Sequence, residues 1–148
     1  MVTPSQFDSK RLSKSQRILL VLVGGSLLVL LAVAALVAPD DRGFGTHQRL
    51  GLPPCTFRVV TGIRCPSCGM TTSWAHLMRG NVIASLKSNT GGTLAGIIAL
   101  VLAPWAFFSG VRGRWLGRPL DDRMALIVTI AVILVALADW AVRFFVGS

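Results

Sequence analysis

Three long apolar blocks constrain this chain more than any other feature. Residues 18–38 form a run of 21 without a charge, and residues 91–108 form a second uncharged run of 18. A third block, 124–146, is interrupted only by Asp139 and Arg143. About 20 apolar residues in a helix cross the ~30 Å hydrocarbon core of a bilayer. We therefore predict an all-α membrane protein with transmembrane helices at 18–38, 91–108 and 124–146.

The composition agrees with a membrane protein. The 148-residue chain is 53% hydrophobic and only 14% charged. About a quarter of the residues of a typical soluble domain are charged, and a core of this size could not cover so much apolar surface. Asp139 and Arg143 are four residues apart, so we expect them to pair on one helix face near the membrane boundary.

The first block also has to be compared with a cleavable signal peptide, because Lys14 and Arg17 precede it. Its 21 uncharged residues exceed the roughly 7–15 of a signal-peptide core, and the following APDDRG lacks the small-x-small pattern of a cleavage site. We therefore expect an uncleaved anchor at 18–38.

Basic residues beside the apolar blocks predict the orientation. Segment 1–17 and connector 109–123 hold four each, whereas loop 39–90 holds six in 52 positions. Because Lys and Arg concentrate in cytoplasmic segments, we expect 1–17 and 109–123 to be cytoplasmic and loop 39–90 to face outward from a bacterial plasma membrane. Topology and anionic lipid account for the net charge of +9. Without a basic stripe interleaved with aromatics, we expect no nucleic-acid partner.

The stretch CTFRVVTGIRCPSCGMTTSWAHLMRGN, residues 55–81, contains all three cysteines of the chain, Cys55, Cys65 and Cys68. An outward loop meets an oxidising compartment, where a disulfide can persist. Because three is an odd number, at most one intrachain bridge forms and one thiol remains. Metal binding and redox chemistry therefore both stay open.

Within this stretch we predict a short amphipathic helix over 66–79, at the membrane interface. Pro66 favours the first helical position, and Gly80 favours a stop. The two faces of this helix would carry Met70, Trp74, Leu77 and Met78 on the apolar side and Cys68, Thr72, His76 and Arg79 on the polar side. We expect the apolar face to lie on the membrane surface or against the spans, and the polar face to form a candidate site.

This helix start would place Cys65 at or near the N-cap and Cys68 in the first turn. Unpaired backbone N–H groups and the positive end of the helix dipole stabilise a thiolate there. A Cys-x-x-Cys pair at the start of a helix is typical of thiol–disulfide exchange, and equally of half a zinc site.

Three interpretations of the cysteines follow. A bridge from Cys55 to Cys65 or Cys68 would tie the loop. Alternatively, three thiols and an imidazole would bind zinc, with His76 or His47 as the fourth ligand; His76 lies ~12 Å of helix rise beyond Cys68. In the third, Cys65 and Cys68 would exchange thiols and disulfides.

The motif resembles the small bacterial membrane proteins grouped as domain of unknown function 2752. Their pattern is a cysteine, Thr-Gly, Cys-Pro-x-Cys-Gly-hydrophobic-Thr, a short helix ending in Arg-Gly, and an Asn before the next span. It is matched here by Cys55, Thr61, Gly62, Cys65, Pro66, Cys68, Gly69, Met70, Thr71, Arg79, Gly80 and Asn89. Thr72 and Thr90 depart from it, standing where the family usually has Arg and Pro. The resemblance implies the membrane architecture and highlights the motif, and it implies no activity.

Other residues give little sign of catalysis. The chain has no Glu, and its six acids are Asp8, Asp40, Asp41, Asp121, Asp122 and Asp139. Adjacent Asp residues that flank apolar blocks suit helix capping better than acid–base chemistry, and neither a G-x-S-x-G motif nor a P-loop is present.

We therefore hypothesise a non-enzymatic membrane subunit, working with other subunits or as a homo-oligomer, whose cysteines are structural through a disulfide or bound zinc. The alternative is a membrane thiol–disulfide or metal-handling protein that uses Cys65 and Cys68. Gly24-Gly25 and Gly91-Gly92 with Gly96 predict close helix contacts, within the chain or with a partner.

Overall fold

The computed structural model describes residues 11–117 and 121–146, and this part of the chain is built from helices. Three are long: α1 (Lys14–Leu36), α5 (Thr90–Arg112) and α6 (Asp122–Val146). Between α1 and α5 lie a 3₁₀ helix (Thr46–Leu50), α2 (Thr56–Thr61), α3 (Met70–Leu77) and α4 (Val82–Ser88). The predicted all-α fold, with short helical structure between the first two long helices, is confirmed.

The long helices have the length and composition needed to cross a bilayer. Lys14–Leu36, Thr90–Arg112 and Arg123–Phe145 are 23 residues each and strongly apolar. Only 17% of the most apolar window of α1 is buried inside the protein, and none of that of α6 is. Apolar surface left uncovered to this extent indicates contact with lipid, so the fold is compatible with a multi-pass membrane protein.

Small residues let α1 and α5 approach closely. A Cβ added at Gly24 would lie 2.5 Å from the backbone nitrogen of Phe107. At Gly110 it would lie 2.8 Å from the side chain of Val21. Gly91 makes the equivalent close approach to Ala136 of α6, where an added Cβ would lie 2.5 Å from the alanine Cβ. The predicted glycine contacts are therefore made within the chain.

Helix α6 packs against α5 and, within the described residues, makes no contact with α1. It is held at its C-terminal end by polar contacts. Asp139 and Arg143 pair as predicted, and Asp139 accepts hydrogen bonds from the backbone nitrogen (3.3 Å) and hydroxyl (3.1 Å) of Thr90. Trp140 Nε1 donates to the carbonyl of Arg64 at 2.6 Å. These contacts place the end of α6 beside the cysteine-containing loop.

The start of α1 and the end of α5 lie together at the opposite end of the bundle. Arg17 donates from Nε to the carbonyl of Gly110 (3.3 Å) and from Nη2 to that of Val111 (3.2 Å). The two predicted cytoplasmic segments therefore meet at one end, although residues 1–10 and 118–120 of those segments are outside the described part of the chain.

The predicted helix over 66–79 is present but begins later. Residues 66–69 form turns, and α3 starts at Met70 after Gly69, whose φ is +89°. A Cβ at Gly69 would lie 2.5 Å from the carbonyl oxygen of Ser88 and 2.7 Å from that of Gly43. The prediction of a start at Pro66 was wrong because the left-handed backbone at Gly69 interrupts the helix.

Helix α3 is enclosed by other helices. Its apolar residues Trp74 and Met78 pack against a core of α1 and α5 residues, which agrees with the predicted contact to the spans. On the predicted polar face, Thr72 is fully buried with its hydroxyl 2.8 Å from that of Thr46, whereas Arg79 is exposed and donates to the carbonyl of Ala75 at 2.8 Å.

Candidate metal centre

The three cysteines come together from two segments of the loop. Cys55 is the N-cap residue of α2, and this helix ends at Gly62, where a φ of +73° turns the chain. Cys65 and Cys68 lie in the turns before α3, with the Cys68 nitrogen donating to the Cys65 carbonyl at 2.9 Å. The three Sγ atoms all lie within 4.8 Å of one another, and those of Cys55 and Cys65 are 3.5 Å apart. We call this group the sulfur cluster.

Cys55 lies at the start of a helix, whereas Cys65 does not. The nearby backbone N–H of Arg58, followed by the neighbouring Cys65 thiol, lowers the pKa of Cys55. Burial, followed by the hydrogen bond with Cys55, raises the pKa of Cys65 to about 11. The predicted thiolate at Cys65 was wrong because α3 begins only at Met70, beyond both Cys65 and Cys68.

Neither histidine belongs to the sulfur cluster. His47, in the 3₁₀ helix, lines a cavity of about 330 Å³ together with Cys55 and Cys68. His76, in α3, is not among the residues that line this cavity. Burial, followed by the charge of Arg79, lowers the pKa of His76. Of the two predicted fourth ligands, only His47 therefore shares a cavity with the cysteines.

Asn89 holds the turn that carries Cys65 and Cys68. Its fully buried amide donates from Nδ2 to the carbonyls of Pro66 (3.0 Å) and Cys68 (3.1 Å). Its Oδ1 accepts from the backbone nitrogen of Gly92 at 2.6 Å, which caps α5. The position of an Asn before a long apolar helix could have indicated the cap. The contacts to the cysteine turn, 21 and 23 residues away, had no local signal.

Asn89 is part of a larger set of buried polar side chains, which we call the Asn89 network. Its members are each at most 1% exposed: Ser73, Ser85, Asn89 and Thr93. Ser85 Oγ donates to the carbonyl of Ser73 and lies 2.7 Å from the hydroxyl of Thr93. Within the described residues, no buried side-chain nitrogen or oxygen lacks a hydrogen-bond partner. Such a fully satisfied network gives the loop a single rigid arrangement.

Positive charge gathers beside the sulfur cluster. The guanidinium carbons of Arg42, Arg58 and Arg64 lie 5.2, 3.9 and 4.5 Å from the ring centre of the buried Phe44. Arg42 pairs with Asp40 and holds the pKa of this carboxyl at about 2. Sequence reasoning used these arginines only for orientation, because nothing in their spacing indicates that they share one ring.

The fold and the site together define a class: a helical protein with three candidate spans and a three-thiol cluster in the loop between the first two. In this chain, residues 55–103 match the model of a family described as "Protein of unknown function (DUF2752)". The match runs from Cys55 through α3 and α4 into α5, so the predicted resemblance is confirmed over this segment. Neither the comparison with curated proteins nor that with solved structures found a similar chain.

Proposed function

We propose that this chain is a protein of the bacterial plasma membrane in which Cys55, Cys65 and Cys68 bind one zinc ion. Bound there, the ion joins the start of α2 to the turn before α3 and stabilises the loop between α1 and α5. In this proposal the protein carries out no reaction of its own and serves as a structural or interaction subunit within the lipid bilayer, with other subunits or with copies of itself.

One observation carries the proposal: three sulfur atoms from two segments lie within 4.8 Å of one another. Zinc–sulfur bonds are about 2.3 Å long, so two sulfurs of a tetrahedral site are about 3.8 Å apart. The sulfur cluster is therefore close to the spacing that zinc requires. Thiolates are soft ligands that favour zinc over magnesium or calcium.

The protonation of Cys65 is a property that bound zinc would change. A thiol with a pKa of about 11 keeps its proton at neutral pH, and a bound metal ion is a common means by which proteins deprotonate such a group. We propose His47 as the fourth ligand, because it lines the cavity that also contains Cys55 and Cys68.

We further propose that the N-terminus is cytoplasmic and that loop 39–90 faces outward. Basic residues are denser in 1–17 and 109–123 than in this loop. Arg17 contacts the end of α5, so both basic segments satisfy the positive-inside rule with one orientation. After metal removal, a membrane-impermeant maleimide should label the cysteines in intact spheroplasts; labelling confined to inverted vesicles would contradict this orientation.

Metal analysis of the purified full-length protein tests the zinc site. We expect about one zinc per chain, by the coordination rule for a single tetrahedral site, and its loss in each of the variants Cys55→Ser, Cys65→Ser and Cys68→Ser. His47→Ala should weaken zinc binding, whereas the matched variant His76→Ala should leave it unchanged. Protein that is free of metal and keeps its fold when purified under reducing conditions would contradict the proposal.

A second candidate function is thiol–disulfide exchange, and one observation favours a particular pair for it. The sulfurs of Cys55 and Cys65 are 3.5 Å apart, and the lowered pKa of Cys55 favours it as the attacking thiolate. The structure thus points to Cys55 with Cys65, instead of the predicted Cys65 with Cys68, as the exchanging pair.

Cys68→Ser separates the two candidates. Zinc binding needs all three sulfurs, so this variant should lose the metal and become less stable. A Cys55–Cys65 disulfide needs only two, so an exchange protein would keep a mildly reducible bridge in the same variant. Counting free thiols with and without reductant, alongside the metal content, distinguishes these results.

A further inference from the structure

A second cavity lies beside the sulfur cluster, where the loop meets the end of α6. Its volume is about 320 Å³, and the side chains that give it chemical character are Arg58, Arg64, Arg143, Trp140 and Phe144. Three of these are cationic and two are aromatic, and the cavity contains no acidic lining residue. The proposed zinc site does not account for this combination.

The charges of Arg58 and Arg64 have no counter-charge within the described residues. Only two ion pairs occur there, Arg42 with Asp40 and Arg143 with Asp139. In the same part of the chain, the guanidinium groups of Arg58 and Arg64 donate no hydrogen bond to the protein. Both side chains are nevertheless half-buried. Two partly desolvated guanidinium groups held over one phenyl ring favour the binding of an anion.

A phosphate group suits these donors. The planar guanidinium presents paired N–H groups that match phosphate oxygens in a bidentate arrangement. Arg143 uses its hydrogen bonds to Asp139 and to the carbonyl of Ser88, so it completes the wall of the cavity while Arg58 and Arg64 supply the net positive charge.

The surroundings of the cavity favour a phosphate that belongs to a lipid. Trp140 and Phe144 stack with their ring centres 5.8 Å apart, at the end of a candidate span where aromatic rings commonly mark the head-group level. Further towards the middle of α6, on the same helix face as these two rings, Leu137 and Ile133 are 45% and 52% exposed, which leaves an apolar surface for acyl chains along α6. A soluble anion would make no use of this surface.

We propose that this cavity binds the phosphate of an anionic phospholipid, with Arg58 and Arg64 contacting the head group and the end of α6 contacting the acyl chains. The site stands independently of the zinc proposal, because it uses none of the cysteines. It would tie the cysteine loop to the membrane surface at the end of α6.

The test measures how strongly added lipid raises the unfolding temperature of the full-length protein in detergent. The probes are short-chain phosphatidylglycerol, short-chain phosphatidylcholine, glycerol phosphate and inorganic phosphate. We expect phosphatidylglycerol to bind about tenfold more tightly than phosphatidylcholine, a difference that charge-assisted contacts readily supply. Inorganic phosphate that binds as tightly as phosphatidylglycerol would overturn the assignment to a lipid.

Matched variants complete the test. The double variant Arg58→Gln with Arg64→Gln should lose the preference for phosphatidylglycerol. The control variant, Arg49→Gln with Lys87→Gln, removes the same amount of charge from exposed positions of the same loop. This control should keep the preference for phosphatidylglycerol. An equal loss in both variants would overturn the proposal, since it would mean general surface attraction. Retained helical circular dichroism in the double variant shows that it is folded.

Discussion

The Asn89 network and the sulfur cluster both involve the turn that carries Cys65 and Cys68, and their polar groups are satisfied in different ways. The side-chain amide of Asn89 hydrogen-bonds with Pro66, Cys68 and Gly92. The other side chains of the network also have hydrogen-bond partners within the protein. In and beside the sulfur cluster, three free thiols crowd together, and the guanidinium groups of Arg58 and Arg64 have no acceptor among the residues that the structure describes. The first arrangement is complete in itself, while the second is suited to binding a ligand.

This difference indicates a division of labour. Buried polar groups in a low-dielectric interior must be hydrogen-bonded, and a network in which all are satisfied is rigid. The Asn89 network therefore supplies the framework that holds the cysteine turn, and in the proposals above the thiols and guanidinium groups supply the binding chemistry. Each of the following predictions separates these two roles.

Replacing Asn89 should have the largest effect. In Asn89→Ala, two buried carbonyls and one backbone N–H lose their partner, so we expect the free energy of unfolding to fall by about 3 kcal/mol or more. Thermal unfolding in detergent measures this loss of stability. Asn81→Ala is the matched control, because Asn81 caps α4 through a single exposed hydrogen bond that its Oδ1 accepts from the Ala84 nitrogen; its replacement should cost only about 1 kcal/mol. Equal losses in the two variants would break the distinction between framework and ordinary cap.

Removing metal should have the next largest effect. A chelator should lower the stability of the wild-type protein by about 3 kcal/mol, as expected for the loss of a ligand present at ~100-fold above its dissociation constant. Cys68→Ser should not respond to the chelator. The effect of Asn89→Ala should persist in metal-free protein, because its three hydrogen bonds do not involve the sulfurs. A chelator-sensitive Cys68→Ser protein would place the metal elsewhere.

In metal-free protein the cysteines should differ in their reaction with iodoacetamide. Only the thiolate reacts, so the lowered pKa of Cys55 makes it the fastest at neutral pH. The rate for Cys65 should keep rising as the pH approaches about 11, because burial disfavours its thiolate. Mass spectrometry of the labelled peptides over a pH series follows each site, and faster labelling of Cys65 at pH 7 would reverse the assignment.

The smallest effect is expected at the contact between α6 and the loop. Trp140→Phe removes one hydrogen bond, from Nε1 to the Arg64 carbonyl, and keeps an aromatic ring. Hydrogen bonds between membrane helices contribute about 0.6 kcal/mol on average, so the unfolding temperature without added anionic lipid should fall only slightly. Trp105→Phe is the control, because Trp105 makes a similar bond to the Leu116 carbonyl at the far end of the bundle. A loss comparable to that of Asn89→Ala would assign α6 to the framework.

Local features of the sequence were read correctly. The long helices follow from uninterrupted apolar runs, because hydrocarbon selects segments by length and hydropathy alone. The pairing of Asp139 with Arg143 follows from their helical spacing of four. The cysteines stood out as a group because the motif is compact, and the family match covers the same stretch.

Features that depend on distant segments were missed. The start of α3 was predicted from Pro66, but the carbonyls of Gly43 and Ser88 approach Gly69 so closely that the backbone turns there. The arginine cluster was missed for the same reason, because Phe44 brings Arg58 and Arg64 together only after the loop has folded.

The sequence by itself determined two properties of this protein: apolar runs long enough to cross a bilayer, and three thiols in one loop. Only the tertiary structure decided which thiol is readily ionised, which histidine shares their cavity and which amide holds their turn. The physical reason is one of range. Hydropathy and helical spacing act along one helix, whereas burial, the contact between thiols and the hydrogen bonds of the turn depend on groups that only the folded chain brings together.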